Sequence, residues 1–276
     1  MSMNYKLILQ KKYTKFIDWM INKNWNHINA TLTERKIELI EKKSDHHYVP
    51  TIYGKSSHKL HDIRDNQHFF SIAQEIYQHG RTYLYYDRLH TIYQAFQNLV
   101  RNNDISKPFN AMEIGVYRGG GSYYLASLIK AFNISQAKLF CIDTFEGHSE
   151  LDIPNGNEGP HEPKQFNQTS YDEVCEYLSS FPFVQVIKSR IQDAKIPDDI
   201  EFHLLHLDVD IYAPTYYSLH TFSKQLAQGG IIIIDDYNFT TCPGAKKAVD
   251  QFLEETPRQF IKFECQTGQC CLFNLK

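Results

Sequence analysis

The sequence predicts an α/β fold: a doubly wound, Rossmann-like sheet, mostly parallel with one antiparallel edge strand, preceded by an N-terminal helical accessory region. Three features of the 276 residues point there. From residue 109 onward, short apolar runs alternate with segments of helical periodicity, the mark of repeated strand–helix units. The first run passes through a glycine-rich turn straight into a helix. Two later runs each end in two closely spaced aspartates, where parallel sheets carry their ligand-binding groups.

The elements follow in order. Leu89, Ile92, Tyr93, Phe96, Leu99 and Val100 recur at three- and four-residue spacing and predict a helix that begins near Tyr85 and ends in the polar Arg101–Asp104. Strands are expected at Ala111–Val116, Lys138–Ile142, Val184–Lys188, Phe202–Leu207 and Ile231–Ile234. Most are continuous apolar runs, as strands covered on both faces require. Helical patterns lie between them at Ser122–Ala131, Tyr171–Ser180 and Thr215–Ala227, and a further helix opens at Pro243, a favourable first-turn residue. Phe260–Glu264 and Cys270–Phe273, separated by Gly268, read as a closing hairpin. The expected division is an accessory or cover region over residues 1–80 and a catalytic domain over 81–276.

Composition excludes several classes. At 42% apolar and 22% charged, the chain is neither disordered nor disulfide-dependent, and no apolar run approaches the ~18 residues of a membrane span. A net charge of −3 argues against nucleic-acid binding by charge alone. The charge is uneven: residues 1–60 carry 11 Lys+Arg against 5 Asp+Glu, the remainder 18 against 27. That basic segment reads as an ordinary helical accessory region or as a cover facing substrate or a partner. His46, His47, His58 and His61 fall in a stretch punctuated by Pro, Gly and Ser, more in keeping with a solvated loop than a metal site. None of the six cysteines forms a CxxC pair, so no zinc ribbon is expected. The N-terminus lacks the apolar core and small-residue cleavage site of a signal peptide, which leads us to expect a cytoplasmic location. The sequence is compatible with a homo-oligomer but does not fix one.

The turn runs Glu113-Ile-Gly115-Val-Tyr-Arg-Gly119-Gly120-Gly121-Ser122. Its glycines permit a sharp turn and close approach of a ligand to the backbone. A dinucleotide fingerprint would read GxGxxG; here a carboxylate precedes the first glycine by two residues. That carboxylate repels a pyrophosphate and attracts a cationic amino-acid group. Asp143, at the end of the second strand, is suited to ribose hydroxyls. Together Glu113 and Asp143 favour S-adenosylmethionine (SAM) over a nicotinamide dinucleotide. Asp208 and Asp210 end the fourth strand, Asp235 and Asp236 the fifth. Carboxylates meeting there repel one another unless a cation or protons intervene. An all-oxygen set suits a hard divalent ion, most plausibly Mg²⁺. A strand that ends in two aspartates is also a common helix cap; the repetition after two strands of one sheet favours the metal.

The stretches EIGVYRGGGS, IDTFEGH, TSYDEV, LHLDVDIYAPTYYSL, GGIIIIDDY and CPGAKKAVDQF, in this order, resemble the macrocin O-methyltransferase family of class I SAM-dependent, metal-dependent sugar O-methyltransferases. The resemblance covers residues ~80–276; residues 1–79 show none that is clear. It implies that Asp208, Asp235 and Asp236 ligate Mg²⁺ and that Asp210 is the general base. It assigns Glu113, Gly115 and the turn with Tyr117, Gly119 and Ser122 to the methionine part of SAM, and Asp143 to the ribose, with Asp208 beside the cofactor. Thr144 and Phe145 would flank the nucleoside, and Ser189, Gln192 and Asp193 would edge the adenine. Two positions depart from the family pattern: Val209 stands where a glycine is expected between the aspartates, and Gln168 where an acidic residue is expected before Thr169.

Residues 146–169 lack apolar periodicity and contain three Pro and three Gly, as a lid over a cofactor site would. His148 and His161 lie in it, as candidate catalytic groups or as simple loop histidines. The expected reaction is methyl transfer from SAM to a sugar hydroxyl of a glycosylated metabolite or glycan. A catechol or other vicinal diol as acceptor, a nicotinamide-dependent oxidoreductase and a non-enzymatic SAM-binding scaffold are the competing readings.

Overall fold

The computed structural model describes residues 63–153 and 158–276. Residues 1–62, which include the basic segment and the four-histidine stretch, and residues 154–157 of the lid lie outside the described residues.

The compact unit Asp62–Lys276 opens with helix α1 (Gln67–His79), capped by the Asn66 side chain, which accepts from Phe69 N at 3.2 Å, and stopped by Gly80 at φ 63°. Its face of Phe69, Ala73 and Ile76 is fully buried, so this helix is built into the catalytic unit, although the sequence groups it with the N-terminal region. Helix α2 (Tyr86–Asn102) carries the expected stripe inward. Then follow β1 (Phe109–Ile114), α3 (Gly120–Ala131), β2 (Ala137–Asp143), α4 (Tyr171–Leu178), β3 (Val184–Lys188), β4 (Phe202–Leu207), α5 (Tyr212–Phe222), β5 (Leu226–Ile234), α6 (Pro243–Glu255), β6 (Phe260–Glu264) and β7 (Cys270–Asn274). A short 3₁₀ turn, Ser223–Gln225, replaces the end of the helix expected to reach Ala227.

The strands form one sheet in the order β3-β2-β1-β4-β5-β7-β6. The first five are parallel; β7 runs antiparallel to β5 and pairs with β6 at the edge. The closing hairpin thus supplies the antiparallel edge, with its second strand inside and its first outermost. Helices α1–α4 cover one face and α5 and α6 the other. Phe69, Phe96, Leu125 and Val174 belong to the first core, Leu219, Phe222, Val249 and Phe252 to the second. Burying each of these side chains contributes roughly 1.5–3 kcal/mol. No helix among the described residues is long and apolar enough to cross a membrane.

Chain order reverses between β1 and β4, which makes their carboxyl ends the natural place for a ligand. Register fixes what gathers there. Glu113 on β1 lies opposite His206 on β4, and Leu207 opposite Ile234 on β5. Because side chains alternate across a strand, Glu113, His206 and Asp235 share the α2–α3 face of the sheet.

Candidate functional site

A cleft open to solvent on one side lies over the carboxyl ends of β1, β2 and β4. Its floor is the glycine turn. Gly115 sits at φ 91°, and a Cβ there would run into the Asp208 carbonyl, so the close approach of β1 to β4 requires glycine. Gly119 adopts φ 86° before α3, and a side chain on Gly121 would strike the Glu113 carboxylate.

Glu113 is buried beneath this turn. Ser122 Oγ donates to its Oε2, and His206 Nδ1 lies 3.0 Å from its Oε1. Burial raises the Glu113 pKa. For His206, burial alone favours the neutral ring, but the adjoining carboxylate outweighs it and the pKa rises. His206 Nε2 lies 3.7 Å from Asp235 Oδ1, so a buried chain runs Glu113–His206–Asp235 under the cleft. His206 had no assigned role in the sequence; its signal is the alternation that puts it on the same face as Asp208, two residues on.

Asp143 ends β2 and accepts from Val116 N (2.7 Å), Tyr117 N (2.8 Å) and Phe145 N (2.6 Å). It therefore fixes the glycine turn, and it also lines the cleft. Tyr117, Thr144, Ser189 and Gln192 line the same cleft, as do Glu113, Gly115 and Asp208. Gly119, Ser122 and Phe145 stand behind the wall: Ser122 holds Glu113, and Phe145 packs edge-on to Tyr171. Asp193 points to solvent and pairs with Arg190 at 3.0 Å rather than reaching the cleft.

The four aspartates converge. Asp208, Asp235 and Asp236 each offer an oxygen within 4.8 Å of the others, and Asp210 lines the cleft beside them. Asp210 adopts φ 62°, a strained backbone for any side chain, which aims its carboxylate inward. Burial, reinforced by neighbouring carboxylates, raises Asp208, Asp210 and Asp236 to about 7. Asp236 Oδ2 is buried with no hydrogen-bond donor. Three clustered carboxylates with an unsatisfied buried oxygen fit a hard divalent cation.

One cation among the described residues already faces this cluster. Arg88 reaches in from the first turn of α2, touches Asp235 Oδ2 and lies 3.4 Å from Asp236 Oδ1, its guanidinium over the Phe239 ring. No local pattern singles it out, because its position in α2 looks like that of any exposed helical arginine.

The lid is tied down at several points. Arg190 holds Asp152 with two hydrogen bonds (2.7 and 3.2 Å), and Gln192 adds a third at 2.8 Å. Glu158 accepts from Tyr212 N at 3.0 Å, at the start of α5. His148 and His161, far from being loose loop residues, are nearly buried beside Asp210: His148 Nε2 is 3.7 Å from Asp210 Oδ2 and 3.3 Å from His161 Nδ1.

Demethyldecarbamoylnovobiocin O-methyltransferase of Streptomyces niveus is 24% identical over 220 residues, 73% of this chain and 80% of that protein. Mycinamicin III 3''-O-methyltransferase of Micromonospora griseorubida is 24% identical over 182 residues, 60% of this chain and 67% of that one. Among solved structures, the O-methyltransferase NovP superposes with a TM-score of 0.61 at 20% identity, covering 71% of this chain and 83% of its own. The calicheamicin methyltransferase CalS11 gives 0.54 at 15% identity, over 81% and 98%. The family match also takes in most of the segment that by itself shows no clear resemblance, since it begins at residue 18. Spanning residues 18–260, it establishes that this chain is an O-methyltransferase belonging to the Macrocin-O-methyltransferase (TylF) family.

Proposed function

We propose that this protein transfers the methyl group of SAM to a sugar hydroxyl, with Asp208, Asp235 and Asp236 holding Mg²⁺ and Asp210 acting as general base. The observation that carries this reading is the convergence of four aspartates from the ends of β4 and β5 on one wall of a cleft floored by the glycine turn. Both named relatives are O-methyltransferases of natural products, one of them by its name acting at a 3''-oxygen.

A neutral sugar hydroxyl is a poor nucleophile near pH 7. When bound, the metal would supply the Lewis acidity that favours an alkoxide, and SAM the electrophilic methyl group. Asp210, with a pKa of about 7, is poised to accept the hydroxyl proton at neutral pH. Glu113 and the turn from Gly115 to Gly121 serve the amino-acid end of the donor, Asp143 its ribose, and Ser189 and Gln192 its base. Arg190 and Gln192, by clamping Asp152, hold the lid over the donor and keep water out. Tyr83, 68% exposed and stacked on Tyr117 at 5.6 Å, offers a flat apolar face to a sugar ring at the cleft mouth. A cytoplasmic location accords with a reaction that consumes SAM.

The test is methyl transfer from labelled SAM to a panel of glycosylated metabolites and of catechols, with Mg²⁺ present. Sugar methylation is expected, and Asp210→Asn should lower turnover by ~10²–10⁴-fold while SAM affinity, read by calorimetry, is kept. Methylation of catechols alone, or full turnover by the variant, would refute the assignment.

A further inference from the structure

We propose that His148, His161 and Asp210 form a second cation site, one that takes a borderline-soft transition ion such as Zn²⁺ rather than Mg²⁺, and that filling it withdraws Asp210 from methyl transfer. The site is built from the lid and the end of β4, beside the aspartate cluster but with a different donor set.

Geometry carries the argument. The distances of 3.3 Å between His148 Nε2 and His161 Nδ1 and 3.7 Å between His148 Nε2 and Asp210 Oδ2 approach the edges of a coordination tetrahedron. Metal–nitrogen bonds of ~2.0–2.1 Å give ligand–ligand edges of about 3.3 Å. All three ligand atoms lie within 4.8 Å of one another. Three protein ligands leave a fourth position for water or an acceptor oxygen.

The surroundings match. A metal-binding histidine usually passes its other ring nitrogen to a second partner, which fixes its orientation. His161 Nε2 lies 3.5 Å from the Cys242 sulfur, which is itself 3.5 Å from Asp210 Oδ1. Burial lowers the pKa of both histidines, His148 to about 4 with His161 as a further cause, which favours the neutral, ligating form of each ring. Imidazole donors discriminate against Mg²⁺, which prefers oxygen, and follow the usual rise in affinity toward the later transition metals. His148 and Asp210 line the cleft, which gives an ion its way in.

Binding of the ion does not depend on the proposed chemistry; its inhibitory effect does rest on Asp210 being the base. Zinc titrated calorimetrically into the full chain with Mg²⁺ saturating should show one zinc equivalent. His148→Ala and His161→Ala should each weaken that binding at least about tenfold, with folding of each variant checked by circular dichroism. Crystals grown with zinc should show an anomalous peak at the zinc edge within bonding distance of His148 Nε2 and His161 Nδ1. No zinc uptake, unchanged affinity in both variants, or a peak elsewhere would overturn the site. Zinc bound there with methyl transfer undiminished would overturn the role of Asp210 instead.

Discussion

Arg88→Gln tests whether the carboxylate cluster is the electrostatic centre of this protein. The guanidinium is 12% exposed and faces Asp235 and Asp236, with Asp208 and Asp210 close behind. Removing one partner from a buried ion pair costs about 3–5 kcal/mol, because the remaining charges lose their compensation. In a unit of this size each kcal/mol lowers the melting temperature by about 2–4 °C, so a drop of roughly 6–20 °C is expected without metal. The loss should depend on pH. The folded-state pKa of about 7 at Asp208, Asp210 and Asp236 lies above the ordinary carboxylate value. Stability from such groups is fully present below the unfolded pKa of ~4 and is lost as pH rises through about 7. Protons can therefore stand in for Arg88 at about pH 5 but not at about pH 8.5, and the penalty should be largest at the higher pH. Mg²⁺ neutralises the same oxygens, so it should raise the melting temperature of Arg88→Gln more than that of the wild type. Thermal unfolding at both pH values, with and without Mg²⁺, reads all of this. Equal losses at both pH values together with equal gains from Mg²⁺ would refute the reasoning.

Two further substitutions probe the donor side. Gly115→Ala places a side chain at φ 91° against the Asp208 carbonyl; the left-handed backbone alone costs roughly 1–2 kcal/mol. Its melting temperature should fall by several degrees and SAM affinity by more than tenfold in calorimetry, and wild-type affinity would show that the turn is not a donor site. Asp152→Ala removes the charged hydrogen bonds to Arg190, worth ~1.5–3 kcal/mol each. Proteolysis within residues 146–169 should quicken and the KM for SAM should rise roughly tenfold or more, whereas an unchanged KM would leave the clamp a purely structural tie.

Much of this protein is legible in its sequence because periodicity is a local property. The alternation of apolar runs and helical stripes within ten or so residues is enough to locate β1–β5 and α2–α6, although β5 begins at Leu226 rather than Ile231 and α5 ends at Phe222 rather than Ala227, and a strand's end is where Asp143, Asp208 and Asp235 have to lie. The glycine requirement at Gly115 is legible too, although its cause is not: it arises from β4, more than ninety residues away. What the chain could not reveal locally are contacts that depend on strand order and register. Glu113 meets His206 only because β4 pairs with β1. Arg88 meets Asp235 and Asp236 only because α2 covers that face of the sheet, 148 residues from Asp236 in sequence. The lid histidines reach Asp210 because Asp152 and Glu158 tie the lid to elements far along the chain. The sequence by itself determined which groups stand at the tips of the strands; tertiary structure decided their neighbours, because the energy of a buried charge depends on what lies within a few ångströms in space and not on what lies nearby in the chain.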